Sequence, residues 1–402
     1  MSDARAAKPA TSPTSPTGRK HKPSRIALLS AAVILLLLSP VAREHLRAMS
    51  LLARMGQQRN WIARLDHHIY DVQAITFATP AGAVRAKLYL PRDAQHPPAM
   101  VVVHGLHQLG MEEPRLVTFA ESLAETGIEV LTPQVDAIAD YRVEPQSIDV
   151  IGASAQELAR RSASKVGVLG LSFAGGLSLM AAAEPKYADE ISFVAAVGAQ
   201  DDVQRVEHYL VDGSTHWPNG ALLNVPPHEY GWLILIYSHP EDFFPAADAE
   251  PARNALRLLL HEDVAAARTR SQQLSPAGQQ LMNAILDHRR EEFRQRLLAD
   301  LDRHSAEAVA VSPAGHLQTL KARVLLIHGE GDTVIPPSET EWLARDVPRG
   351  KLQAALVSRA ISHVSLQSQP GWRDRFAAIH WIALMLADAD RETRSYLNLN
   401  AR

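Results

Sequence analysis

A mainly parallel, doubly wound α/β sheet is the architecture this sequence predicts, and three observations predict it. From about residue 70, short β-rich runs alternate with helical patterns, the signature of strands joined by crossover helices. Three runs, MVVV at 100–103, VGVLGL at 166–171 and VLLI at 324–327, are nearly all apolar, as strands covered on both faces must be. The second of them ends in Gly170-Leu171-Ser172-Phe173-Ala174-Gly175 and runs straight into a helical pattern of small residues, 177–183.

In chain order, strands are expected over 73–77, 84–89, 99–103, 129–131, 165–171, 192–197, 323–327 and 352–357, with helices over 115–125 and 147–162. Residues 198–322 break the alternation, being far too long for a strand-to-helix connection. Helical patterns over 251–260 and 275–301 make this stretch a helical insertion, a cap or lid after the sixth core strand. Its charges imply a wet outer face, with Leu258, Leu259, Leu281, Ile285 and Leu297 turned inward. The expected layout is core 70–202, insertion 203–320, core 321–388 and a C-terminal tail 389–402. A linker between two independent domains fits less well, because too little chain follows it.

The N-terminus reads differently. Residues 1–25 are basic and rich in Pro, Ser and Thr, so they bury too little apolar surface to order and are expected to be disordered. Residues 26–42, IALLSAAVILLLLSPVA, carry no charge. As a helix rising about 1.5 Å per residue they reach the short end of what spans a bilayer. An uncleaved signal-anchor suits the long basic leader better than a cleaved signal peptide, whose cleavage site would fall at Pro40-Val41-Ala42. Arg19, Lys20, Lys22 and Arg25 before the run favour a cytoplasmic N-terminus and an exported, extracytoplasmic catalytic domain. Arg43, Arg47 and Arg54 after it blunt that asymmetry, and 43–69 is expected as linker.

A net charge of −3 gives no electrostatic case for a nucleic-acid partner. The absence of cysteine excludes disulfides, thiol nucleophiles and thiolate zinc sites. Eighteen histidines raise the question of a metal, yet no HExxH or clustered ligand spacing appears, so no metal and no cofactor are expected.

The chemistry points to Ser172. A serine nucleophile must stand on a sharp strand-to-helix turn, where only small residues fit two positions either side; here they are Gly170 and Ala174, with Gly175 behind. Its hydroxyl needs a base. Downstream, the strand over 323–327 runs into His328-Gly-Glu-Gly-Asp332, and the next leads to His363. Ser, Asp and His thus follow in order, each at the carboxyl end of its own strand, where chemistry in parallel sheets gathers.

With His104-Gly105 after an earlier apolar strand, these motifs make the chain resemble an α/β-hydrolase of the dienelactone-hydrolase and carboxylesterase type, over about 70–200 and 320–388. The resemblance implies Ser172 as nucleophile, His363 as base and Asp332 as its orienting acid. It implies an oxyanion hole from the backbone N–H groups of Leu106 and Phe173. The substrate would be a small-molecule ester, with the membrane met through 26–42 and the oligomeric state left open. A serine peptidase or amidase of the same fold stays as an alternative, as does a non-catalytic membrane-attached binding protein. Asp201 and Asp202 are rival acids whose bland role is helix capping. Glu330 lies on the wrong side of Gly331, and His104 and His107 flank the turn without metal-ligand spacing.

Overall fold

The β-rich runs pair into one eight-stranded sheet: β1 (Tyr70–Thr79), β2 (Gly82–Pro91), β3 (Ala99–Val103), β4 (Glu129–Pro133), β5 (Val166–Leu171), β6 (Ile191–Val197), β7 (Arg323–Gly329) and β8 (Leu352–Ser358). The computed structural model describes residues 39–58, 60–362, 365–366 and 371–400, with backbone only for 362, 365–366 and 392–400. The tail 1–25, residues 26–38 of the apolar run, and His363 lie outside the described residues.

The strand order is β1-β2-β4-β3-β5-β6-β7-β8. β2 runs antiparallel to both its neighbours; every other pair from β4 to β8 is parallel. From β3 the chain turns to one side to make β4, then crosses to the other to make β5. The sheet therefore has its topological switch point between β3 and β5, where a crevice opens beyond the carboxyl ends.

Helices cover both faces, which is why the central strands are apolar on both sides. One face packs under α3 (Gln146–Ser162) and α4 (Phe173–Ala183); the other packs under α1 (Pro40–Met55), α2 (Pro114–Glu125) and the C-terminal helix α13 (Trp372–Asn400). α2 starts where Pro114 can lose its N–H without cost and the Glu113 carboxylate accepts from Leu116 N–H at 2.8 Å. Between β6 and β7 lie α5 (Val203–Asp212), α6 (Tyr230–Ser238), α7 (Ala249–Leu260), α8 (Val264–Ser271), α9 (Pro276–Leu286), α10 (Arg294–Arg303) and α11 (Ser305–Ala310). α12 (Ser338–Asp346) joins β7 to β8.

The structure departs from the sequence reading in four places. The chain divides into two units, 1–43 and 44–402. In the first, Ser39–Arg43 form the opening turn of α1, with Ser39 Oγ accepting from Ala42 N–H at 3.2 Å. In the second, residues 44–55, expected as linker, are helix: Ala48 and Leu51 are buried against α2 and α13, and Arg47 and Arg54 bond the carbonyl and hydroxyl of Thr126. The helical pattern over 275–301 is two helices, because His288 adopts φ +56° after α9. α13 continues through the expected C-terminal tail to Asn400. Among the proposed inward leucines, Leu297 and Ile285 are fully buried, whereas Leu258, Leu259 and Leu281 are half-buried and α7 instead turns Ala252, Ala255, Leu256 and Leu260 inward.

Among the described residues no helix is long and apolar enough to cross a membrane.

Candidate active site

Parallel register brings the ends of five strands into one row. Val103 of β3 stands beside Gly170 of β5, Leu171 beside Val197 of β6, Val197 beside Ile327 of β7, and Gly329 beside Ser358 of β8. The ladder continues past the strands: Ser172 N–H bonds Val197 O at 2.8 Å, Gly198 N–H bonds Ile327 O at 2.8 Å, and Glu330 N–H bonds Ser358 O at 3.0 Å. Ser172 and the Glu330–Asp332 turn thus leave the same edge of the sheet. So does the loop after β8 that leads toward His363, which is itself outside the described residues.

Ser172 sits at φ +56°, ψ −135°, a backbone that residues with a Cβ rarely adopt. Such strain persists only where the surroundings impose it. Here β5 must turn into α4 within one residue. A Cβ on Gly170 would lie 2.3 Å from Ala174 O, so glycine is obligatory there. Ala174, in place of the more usual glycine, is completely buried and its methyl fits. Ser172 is 2% exposed, and its Oγ makes no hydrogen bond to any described residue.

The His104-Gly105 turn presses against this serine. A Cβ on Gly105 would meet Ser172 Cβ at 3.3 Å and Leu171 O at 3.4 Å. His104 locks the turn. Its Nδ1 donates to Gly105 O at 2.9 Å, so its Nε2 is left to accept from Val135 N–H at 3.1 Å beyond β4. Burial pushes this imidazole down to about 4, against the hydrogen bond to Gly105. With both nitrogens engaged, His104 ties the turn after β3 to the chain beyond β4. Phe173 begins α4, whose first N–H groups lack helical acceptors. Leu106 and Phe173 both line a cavity of about 590 Å³, together with Val334 from the Asp332 loop and Val203, Leu210 and Ile234 from the insertion.

Asp332 is 1% exposed. Its Oδ1 accepts from Val334 N–H at 2.8 Å and Ile335 N–H at 3.0 Å, and its Oδ2 lies 3.3 Å from His328 Nε2. His328 escaped the sequence reading. It is fully buried, donates from Nε2 to Ile335 O at 3.0 Å and accepts at Nδ1 from Thr340 Oγ1 at 2.7 Å, so it braces the acid's loop. Its only sequence signal is a histidine at the end of an apolar strand.

Asp201 and Asp202 have other partners. Asp202 caps α5, accepting from Arg205 N–H at 3.2 Å. Asp201 accepts from Arg205 Nη2 at 2.8 Å, and Arg205 also pairs with the completely buried Glu339 at 2.6 Å. Glu339 in turn accepts from the N–H groups of Asp201 and Asp202 at 2.9 and 3.0 Å. This network, invisible in sequence because Glu339 lies more than a hundred residues from the other three, fastens the start of the insertion to α12. Glu330 is paired with Arg359 at the surface. The His107 ring accepts at Nδ1 from Leu109 N–H at 3.2 Å.

The insertion docks over the switch point by three further ties. His228 N–H bonds Thr333 O beside Asp332 at 2.8 Å, Tyr141 Oη bonds Leu260 O at 2.9 Å, and Asp140 accepts from Tyr237 Oη at 2.7 Å and Arg257 Nε at 2.9 Å.

Neither a protein-family model nor a curated protein matches this sequence. Solved structures do resemble it. An esterase from Pyrobaculum calidifontis shares 18% identity over 89% of this chain and 96% of its own, at a TM-score of 0.44. An acylaminoacyl peptidase from Pyrococcus horikoshii shares 12% over 80% of this chain, at 0.45. A dienelactone hydrolase from Anabaena variabilis shares 20% over 33% of this chain and 65% of its own, at 0.29. The chain spans about two fifths of the length of the acylaminoacyl peptidases it matches. Strand order, one antiparallel strand in a parallel sheet, and a strained serine between β5 and α4 make this the α/β-hydrolase fold.

Proposed function

We propose that this chain is a serine hydrolase that cleaves a carboxylic ester-like bond through an acyl-serine intermediate, held at a membrane by residues 26–42 with its catalytic domain on the exported side. The observation that carries the reading is the backbone of Ser172, strained at φ +56° at the sharp turn between β5 and α4. In this mechanism Ser172 Oγ attacks the carbonyl carbon while His363 takes its proton. Asp332 orients the imidazole, and the N–H groups of Leu106 and Phe173 hold the developing oxyanion. Collapse breaks the ester bond as His363 returns the proton to the leaving alcohol. Water then repeats the sequence and frees the acid. The cavity beneath the insertion would take the acyl or alcohol part, and its apolar wall of Val203, Leu210, Ile234 and Val334 favours a group with hydrocarbon character.

Covalent labelling by a fluorophosphonate tests the nucleophile without knowledge of the substrate. The full chain should label at Ser172, and Ser172→Ala should neither label nor hydrolyse p-nitrophenyl esters, with a loss of about 10³-fold or more. A folded Ser172→Ala chain that kept most of its turnover would end this assignment. Deletion of 1–38 should move the labelled protein from the membrane fraction to the soluble one.

A further inference from the structure

Apart from the serine, the insertion brings together a second group of chemically able side chains. His239 follows α6, immediately before a short turn, Pro240–Asp242. Asp300 lies on α10 and His304 ends it, four residues later on the same helical face. One ligand atom from each of His239, Asp300 and His304 falls within 4.8 Å of the others. Asp300 Oδ1 is 3.3 Å from His239 Nδ1 and 3.7 Å from His304 Nε2. Donor atoms on a tetrahedral ion with bonds of about 2.0–2.2 Å stand about 3.4 Å apart, close to these two separations.

A second observation points to a cation. Asp300 is 2% exposed; its Oδ2 bonds His239 Nδ1 at 3.4 Å, yet its Oδ1, the oxygen facing both imidazoles, makes no hydrogen bond to any described residue. A buried carboxylate oxygen without a donor is costly, and proteins rarely leave one so.

The outer contacts complete the pattern. Glu307 Oε1 lies 2.9 Å from His304 Nδ1, and Glu307 Oε2 lies 3.4 Å from His239 Nε2. One carboxylate thus engages the far nitrogen of each ring, the arrangement that orients metal-binding histidines, and leaves His239 Nδ1 facing Asp300 and His304 Nε2 between Asp242 and Asp300. Asp242 Oδ2 is 2.9 Å from His304 Nε2, while Arg303 pairs with its other oxygen. Asp300 and Asp242 would bring two negative charges to a divalent ion, with Glu307 a third outside the shell.

From this geometry we infer that His239, Asp300 and His304, with Asp242 as fourth ligand, form a binding site for a divalent transition ion of the zinc class. Two imidazoles among the donors favour such an ion over calcium or magnesium, which prefer all-oxygen shells. Four protein ligands close the shell, so the ion's part is structural: it staples the turn after α6 to the end of α10. Each ring must point a lone pair at the ion in its own plane. The two rings now stack at 3.6 Å with an 11° tilt, so they splay as the ion enters. Sequence hid the site because its halves, His239-x-x-Asp242 and Asp300-x-x-x-His304, stand some sixty residues apart. The inference does not depend on Ser172 being a nucleophile, although His239, Asp300 and His304 line the same cavity as Leu106 and Phe173.

The test is calorimetric titration of the chelator-stripped full chain with Zn²⁺, and a parallel titration with Co²⁺ followed by visible absorption. The expected results are about one Zn²⁺ per chain, a raised Tm, and the intense visible bands of four-coordinate Co²⁺. Asp300→Asn and His304→Gln, each checked for folding by circular dichroism, should bind about 100-fold more weakly or worse. His239→Gln, on a loop, supplies the same reading if the helix variants do not fold. A folded parent chain that takes up no Zn²⁺, or that gives only the pale spectrum of six-coordinate Co²⁺, overturns the site and leaves a histidine–carboxylate network. So does Zn²⁺ binding that all three variants retain. Fluorophosphonate labelling of the parent chain, run alongside, reports on Ser172 separately.

Discussion

Two buried aspartates stand just beyond neighbouring parallel strands, Asp201 after β6 and Asp332 after β7, and their surroundings could hardly differ more. Asp332 receives two peptide N–H groups on one oxygen and approaches His328 with the other. Asp201 shares one guanidinium, Arg205, with a second buried acid, Glu339, and its Oδ1 has no hydrogen bond among the described residues. Burial, with Glu339 adding to it and Arg205 opposing, pushes Asp201 up to about 7. Peptide donors stabilise a carboxylate in place without consuming its charge on a partner. A shared arginine spends that charge on holding two segments together. Position at the strand end is common to both; the donor sets differ, two peptide N–H groups for Asp332 and, for Asp201, a shared arginine that fastens the insertion.

The largest expected effect comes from exchanging the two. Asp332→Asn should cut kcat by up to about 10⁴-fold, since the amide favours the wrong imidazole tautomer. Asp201→Asn should leave turnover within a few-fold of the parent. Ester hydrolysis by the two purified variants decides the matter, and the reverse ranking would move the acid to the β6 side.

Next in size is the His104-Gly105 turn, which packs against Ser172. His104→Ala removes the bridge from Gly105 O to Val135 N–H and frees the peptide that carries Leu106 N–H. Loss of one well-placed oxyanion donor costs about 10²–10³-fold, so kcat should fall by about 10²-fold with KM little changed. A rise in KM at constant kcat would make His104 part of the substrate pocket instead of a positioning residue.

What the sequence disclosed was local. An apolar strand, a Gly-x-Ser-x-Ala turn and a small-residue helix are contiguous in the chain, so steric logic at Gly170 and Ser172 was readable before any fold was known. Asp332 was readable for the same reason, lying three residues beyond its strand. The rest depends on residues distant in sequence. Arg47 and Arg54 read as charges flanking an apolar run, but both are buried and bond Thr126. The Arg205–Glu339 and Asp140–Arg257 ties join segments more than a hundred residues apart, and no periodicity announces them. The break after α9 rests on a single left-handed residue, His288, which has neither the glycine nor the proline that usually marks one.

The smallest effect is also the most specific to the comparison. An aspartate held at about 7 in the folded chain, against an ordinary value of 3.8, keeps a proton that the unfolded chain releases. Between about pH 4 and pH 7 the folded state therefore binds more protons than the unfolded one, and stability falls as pH rises through that window. Above it the loss is complete, because both states are ionised and the folded one carries the buried charge. Asp201→Asn cannot ionise, and its amide oxygen still accepts from Arg205. Its Tm should accordingly decline less than the parent's between pH 5 and pH 8, by a few degrees, in thermal melts at fixed ionic strength. Other groups titrate alike in the two proteins and cancel in the difference. Parallel declines would mean that Asp201 is ionised throughout, held by Arg205, and the contrast between the two strand-end acids would then lie in their partners and not in their charge.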